Sequence, residues 1–337
     1  MKIAIIGAGW YGCHIASKLM EEDFHVTVFE KETSIFQHAS GKNQNRLHVG
    51  FHYARDSITR KQTEIGYAKF IQEYGCFTKN VENNLYLIPE KNSLLDYETY
   101  KLIMKNSNVW MEEVSVPDYI KGVTGAINTR EKVILTEHAK AYFEKKLTGI
   151  IRYEASIEDI KIALDSVVIM DEQFDYLIDC TWGRWRKADE VLFEASLLLL
   201  LKRKSGANDA LTFVDGDLCS LYPTSKRDYF TLSSVLHTPL KVSRDYNEVE
   251  DIMNTFDEEF LQSKANAIIE HMKYYYEQLT ENWEMVEYQI SAKTKPISAS
   301  ANRACSIRKD GPVISVMSGK IDTIFHAYEG IISYLKC

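Results

Sequence analysis

Residues 1–12 read MKIAIIGAGWYG, and the fold turns on how this stretch is read. Ile3–Ile6 is an unbroken apolar run ended by Gly7, the pattern of a parallel strand buried on both faces. From Trp10 to Glu22 the apolar residues take helical spacing, with Ile15, Ala16 and Leu19 on one face. His25–Phe29 is strand-like again, so the opening is a βαβ unit. Its glycines, Gly7-x-Gly9-x-x-Gly12, sit where strand passes into helix. Gly7 suits a tight turn, Gly9 the approach of a pyrophosphate to the backbone, and Gly12 close packing of helix on strand. The helix start offers free N–H groups and the positive end of its dipole to phosphate. Glu30 closes the second strand, where a carboxylate accepts from ribose hydroxyls and repels an added ribose phosphate. The unit predicts a dinucleotide site. It reads only an ADP moiety, so FAD and NAD both stay open here.

The 337 residues carry a formal charge of −8 and are 45% hydrophobic, enough for a large core or two modest domains. The acidic balance argues against nonspecific binding to nucleic acid and leaves room for a local basic pocket. Six cysteines form no CxxC pair and match no zinc spacing, so no metal site is expected and the thiols suit a reducing compartment. No secretory signal precedes the first strand, and the run Leu197–Leu201 is too short for a bilayer. The expectation is a cytoplasmic protein with a small-molecule substrate, no nucleic-acid partner and no membrane span. Its oligomeric state is not legible.

Further along, Ser57 is placed as the cap of a helix reaching about Tyr74, and Thr136 as the cap of a helix over Glu137–Leu147. Strands are expected at Asn84–Ile88, Val167–Met170, Tyr176–Asp179, Phe193–Leu201, Leu211–Val214, Tyr229–Val235 and Val313–Ser315. One long helical stretch is expected over Glu248–Leu279, and a last helix opening at Gly319. No repeat or linker divides the chain, and nucleotide-type units recur at its ends and middle. That pattern predicts two interleaved domains.

Residues 40–53, SGKNQNRLHVGFHY, carry a second signal. Together with GAGWYGCHIASKLMEEDFHVTVFEK they resemble FAD-dependent oxidoreductases of the D-amino-acid oxidase superfamily, especially its 2-hydroxyglutarate and glycerol-3-phosphate dehydrogenases. FDYLIDCTWG (174–183) and VISVMSGKIDTI (313–324) resemble the later flavin-binding segments, in the same order. The resemblance implies an α/β fold: a Rossmann-like FAD-binding domain (residues 1–80, 130–190 and 290–337) interleaved with a mixed-sheet α+β substrate domain (81–129 and 191–289). It implies FAD contacts from Gly7, Gly9, Trp10, Tyr11, Gly12, Glu30 and Lys31. Further contacts are implied from Asn45, Arg46 and Leu47, from Ile157, Thr181 and Gly183, and from Gly319, Lys320 and Ile321. The C-terminal turn departs from the family's glycine-rich pattern, and Lys320 there either adds charge beside the flavin or is a solvated turn lysine.

The chemistry implied is removal of a hydride from a C–H next to an amine or hydroxyl of a small, anionic metabolite. His48 is the candidate base, with a core histidine as the bland reading. In an extended Phe51–Tyr53, Tyr53 and Phe51 would share a face opposite His52, making Tyr53 a pocket wall. Arg46, Arg303 and Arg308 are candidates for a substrate anion, and the resemblance favours Arg308. Tyr222 is a further pocket candidate, and Cys305 is read as packing rather than as a flavin attachment. Two other readings stand beside this one: an NAD-dependent dehydrogenase, and a flavin-binding protein without turnover.

Overall fold

The structure, a computed structural model, describes residues 1–155, 157, 160–186, 191–297 and 303–336. The opening reading holds: strand Lys2–Ile6, helix Trp10–Glu21, strand His25–Phe29. Lys2–Ile6 lies at the centre of a six-stranded sheet, parallel to His25–Phe29 on one side and Tyr176–Asp179 on the other. Val313–Met317 continues it in parallel, and Ser306–Asp310 and Ile151–Arg152 form its edges. The unbroken apolar run now has a cause. Ile3 and Ile5 pack toward helices Trp10–Glu21 and Ile324–Leu335, with Ile15, Leu19 and Ile331. Ala4 and Ile6 face the other way, with Phe29 of the neighbouring strand, onto Val167 and Phe174 of a small three-stranded sheet. At Gly12 a Cβ would stand 1.9 Å from the Gly7 carbonyl oxygen, so the helix packs this closely only with glycine there.

A second sheet of nine strands is formed by other parts of the chain. Its spine is an antiparallel ribbon of Val191–Arg203 with Trp283–Pro296. Asn84–Pro89 joins it to Val123–Thr129 on one side and Ala210–Phe213 on the other. Helix Glu258–Lys273 covers it through Ala265, Ile268 and Met272.

Several expectations are corrected in detail. The stretch over 248–279 is not one helix but Tyr246–Met253, Glu258–Lys273 and Leu279–Asn282. Asp257 breaks it by capping the second piece, its side chain accepting from the Phe260 N–H at 2.6 Å. Asp56, not Ser57, caps the helix Ser57–Tyr74, accepting from Thr59 N–H. Thr136 caps nothing; its hydroxyl donates to Asn45 Oδ1. The strand Trp283–Pro296 is an element the sequence reading omits, although Val286, Tyr288, Ile290 and Ala292 alternate with polar residues at the period of a strand. Among the described residues no helix is long and apolar enough to cross a membrane.

Candidate active site

Two adjoining clefts open along the C-terminal ends of the parallel strands. The first, about 380 Å³, is lined by Gly7, Gly9, Trp10, Tyr11, Glu30, Lys31, Ile157 and Thr181 of the expected residues. The second, about 430 Å³, is lined by Arg46, His48, Tyr53, Gly319, Lys320 and Ile321. Both volumes fall within the range of ligand pockets. Ala39, Trp182 and Thr294 line both, so the two form one continuous trough.

At the first cleft the Glu30 carboxylate accepts from Ala8 N–H at 2.6 Å and Glu32 N–H at 3.0 Å. These bonds fix it at the mouth of the helix start. Ser40 joins the two sequence signals: its hydroxyl accepts from Trp10 N–H at 3.0 Å. Tyr11 ties the helix start to the C-terminal turn, its hydroxyl meeting Lys320 O and, at 2.7 Å, Thr323 Oγ1. Lys31 pairs with Glu250 at 2.8 Å, closing helix Tyr246–Met253 over the cleft's edge.

At the second cleft the floor is a buried polar cluster. Arg46 donates to Thr212 Oγ1 and Ser220 Oγ, both at 2.8 Å, and to Tyr86 Oη at 3.2 Å. Its guanidinium lies 3.6 Å from the centre of the Tyr222 ring and 3.7 Å from Glu131 Oε2. Glu131 is 1% exposed and accepts from Val49 N–H at 2.9 Å and from Tyr86 Oη–H at 2.8 Å. His52 Nδ1 meets the same Tyr86 hydroxyl at 2.5 Å. The His48 ring stands 4.7 Å from that of His52, edge to face, and its Nδ1 is 3.6 Å from Glu131 without a hydrogen bond. Burial pushes both imidazoles well below the ordinary histidine range, assisted by nearby cations, Lys320 and Arg46 for His48. Both rings are therefore neutral at neutral pH.

Cations line the open walls. Lys293, Arg303 and Lys320 have no ion-pair partner within 4 Å among the described residues. Lys295 is paired with Glu194, and the lining Asp215 with Arg55. Burial lowers Lys293 to about 8, against the opposing pull of Glu194. Burial likewise lowers Lys320 and raises the carboxyl of Asp322, whose two oxygens lack hydrogen bonds among the described residues. The Lys320 ammonium sits 4.8 Å from the centre of the Tyr53 ring.

Other expected residues fall elsewhere. Arg308 is exposed on the edge strand Ser306–Asp310 and lines neither cleft. Its neighbour Ile307 faces helix Ile324–Leu335, so strand alternation turns Arg308 to the opposite face. The anion-reading expectation for Arg308 is thereby corrected, and Arg303 is the arginine of that segment at the cavity. Leu47 is core, Asn45 receives Thr136, Gly12 is a packing contact and Gly183 turns the chain (φ +79°); none of these lines a cleft. Tyr222 is fully buried beneath Arg46 rather than on the cavity wall. Phe51–Tyr53 is a 3-10 turn, not extended, so Phe51 is buried while His52 and Tyr53 both reach the cavity. Glu131 and Tyr86 had no sequence signal: each lies far along the chain from the histidines it serves.

The sequence and fold have relatives. The family model described as FAD dependent oxidoreductase (DAO) matches residues 2–75. The FAD-dependent monooxygenase FPY4 of Fusarium mangiferae is 41% identical over 336 residues, covering 99% of this chain and 90% of that protein. The FAD-dependent monooxygenase kojA of Aspergillus flavus is 22% identical over 375 residues, covering 100% of this chain and 86% of that protein. Among solved structures, L-α-glycerophosphate oxidase of Mycoplasma pneumoniae, with FAD bound, superposes with a TM-score of 0.75 at 14% identity over 100% of this chain and 94% of that one. Glycine oxidase of Geobacillus kaustophilus gives 0.72 at 10% identity, over 98% and 93%.

Proposed function

This chain belongs to the FAD-dependent oxidoreductases of the D-amino-acid oxidase superfamily, and we propose that it oxidises a small anionic metabolite at a C–H next to a hydroxyl or amine. Its cofactor is FAD, and the NAD reading left open by the glycine motif is not favoured. The single observation behind the substrate class is the cavity itself. In a chain of charge −8, its walls carry three cations with no acid within 4 Å among the described residues, above two neutral imidazoles.

The clefts fit FAD. The fixed carboxylate of Glu30 suits the adenosine ribose, and the backbone at Gly7 and Gly9 with the helix start suits the pyrophosphate. Gly319, Lys320 and Ile321 would hold the flavin end, next to the cationic walls. Bound flavin supplies a two-electron hydride acceptor. The chain's residues do the rest. Arg303 and Lys293 bind the substrate anion, Arg303 through its planar fork. A neutral imidazole of the His48–His52 pair takes the hydroxyl or amine proton. Tyr53, under the Lys320 ammonium, forms the wall that orients the substrate.

The test is anaerobic flavin bleaching with 2-hydroxy acids, 2-amino acids and phosphate esters, each beside its neutral analogue. Bleaching by an anion but not by its neutral analogue is expected. Bleaching by neutral amines or alcohols alone would defeat the anionic reading. The name of the 41% identical relative favours one second reading, oxygen insertion. Label from ¹⁸O₂ appearing in the product, rather than in peroxide or water, would select it.

A further inference from the structure

The buried cluster under the second cleft assigns a tautomer, and with it a role expected of His48. Tyr86 has one hydroxyl proton and two lone pairs. Glu131 faces the Arg46 guanidinium at 3.7 Å and accepts from Val49 N–H at 2.9 Å, so its oxygens are turned toward donors on both sides. The Tyr86 proton therefore goes to Glu131 Oε2, at 2.8 Å. The hydroxyl oxygen can then only accept, and it receives Arg46 at 3.2 Å and His52 Nδ1 at 2.5 Å. His52 must carry its proton on Nδ1. Its Nε2, with no protein partner among the described residues, keeps a bare lone pair on a ring that lines the cavity. His48 is different: its Nδ1 is buried 3.6 Å from Glu131, and no hydrogen bond among the described residues fixes its tautomer.

We propose that Glu131 and Tyr86 are positioning residues that hold His52 as the Nδ1–H tautomer, and that His52 Nε2, rather than His48, is the proton acceptor of this cavity. The proposal rests on the substrate reading above for what gives up the proton. The step is a proton transfer alone. A substrate O–H or N–H bond breaks, an Nε2–H bond forms, and the electron pair of the broken bond stays on the substrate oxygen or nitrogen. The imidazolium so formed is joined through Tyr86 to the carboxylate of Glu131, and its proton returns to solvent through the cavity. The same donors, His48, His52 and Glu131, lie within 4.8 Å of one another, as a metal site would require. Arg46 beside Glu131, and the two hydrogen bonds the carboxylate already accepts, oppose a divalent cation there.

Isosteric Glu131→Gln gives the sharpest test. The glutamine amide must donate to the Tyr86 oxygen, so the Tyr86 hydroxyl turns to donate to a bare His52 Nδ1 and the imidazole proton resides on Nε2. Flavin-loaded protein labelled with ¹⁵N-histidine, read by long-range ¹H–¹⁵N correlation and assigned with His52→Gln, reports the tautomer without any turnover. Wild type should show His52 with Nδ1 protonated and Nε2 bare; Glu131→Gln should show the reverse. His52 protonated on Nε2 in wild type, or an unchanged tautomer in Glu131→Gln, overturns the proposal. With an anion that bleaches the wild-type flavin, Glu131→Gln should slow anaerobic reduction at saturation roughly hundredfold, the usual scale of a lost general base. A flipped tautomer with wild-type reduction would remove His52 as the acceptor. If no compound bleaches the wild-type flavin, the substrate reading has failed, while the tautomer still decides this inference.

Discussion

Lys293 and Glu30 show how single residues set the two ends of the trough. Burial lowers Lys293 to about 8, so the ammonium is charged below that pH and neutral above it. An anionic ligand gains its attraction on the acid side and loses it on the alkaline side. The apparent substrate constant should rise roughly tenfold between pH 7 and 9, near the low end of the ~1.5–3 kcal/mol of a charge-assisted bond. Lys293→Met should start at the higher constant and lose most of the slope, with the buried Lys320 supplying what remains. A wild-type constant that is flat over this range would take Lys293 out of the anion site. At the other end, Glu30→Ala should weaken FAD by about 2–3 kcal/mol, one charge-assisted pair, without altering substrate preference. Fluorescence quenching of titrated FAD reads it directly, and an unchanged constant would mean that Glu30 serves only Ala8 and Glu32.

At the scale of elements, the helix Ser57–Tyr74 crosses the turn Ile321–Thr323 at Gly66, where a Cβ would stand 2.1 Å from the Asp322 carbonyl oxygen. The obstacle is backbone, which cannot swing away as a side chain tip can. Gly66→Ala gains about 1 kcal/mol of helix propensity. Against that stands overpacking of about 1–3 kcal/mol. The net effect should be a loss of stability, and a weakened hold on FAD through the displaced Lys320–Ile321 segment. Urea melts and FAD titration of the variant check both, and a stabilised variant with native FAD affinity would show that the crossing is slack. This contact also marks what the sequence reveals and what it hides. The opening βαβ unit was legible because its whole logic lies in thirty contiguous residues: apolar run, glycines, terminal acid. Strand Val313–Met317 and the turn after it were legible by resemblance. The Arg46–Glu131–Tyr86–His52 cluster was not, because Tyr86 and Glu131 come from segments far from the stretch 40–53 that holds Arg46 and His52, and all meet only in the fold. Arg308 misled for a local reason: alternation along an edge strand, once registered by Ile307, turns its side chain away.

On the scale of the whole molecule, the trough is bounded by residues distant in sequence. Ala39 follows the opening unit, Trp182 follows the central strand Tyr176–Asp179, and Thr294 belongs to the long strand Trp283–Pro296 of the other sheet. Thr294 Oγ1 donates to Trp182 O at 3.0 Å, stitching the two sheets at the junction of the clefts. A ligand that runs through both clefts therefore binds pieces of both sheets, and should stabilise them together. At a concentration of 100 times its dissociation constant, a ligand of the native state adds about 2.7 kcal/mol. For a chain of 337 residues, at ~2.1 cal/mol/K of unfolding entropy per residue, that is a rise of about 4 °C in the thermal midpoint. On the proposed placement ADP would reach only the first cleft, and FMN lacks the adenosine proposed to meet Glu30. FAD-stripped protein should accordingly gain its largest shift with FAD, a smaller one with ADP at the same concentration, and the least with FMN. In Glu30→Ala the ADP shift should nearly vanish while part of the FAD shift persists. Scanning calorimetry of stripped protein against the three nucleotides reads all of this before any substrate is known. Equal shifts from ADP and FAD would mean that the second cleft contributes no binding to the flavin, and the continuity of the trough would then have no role in holding the cofactor.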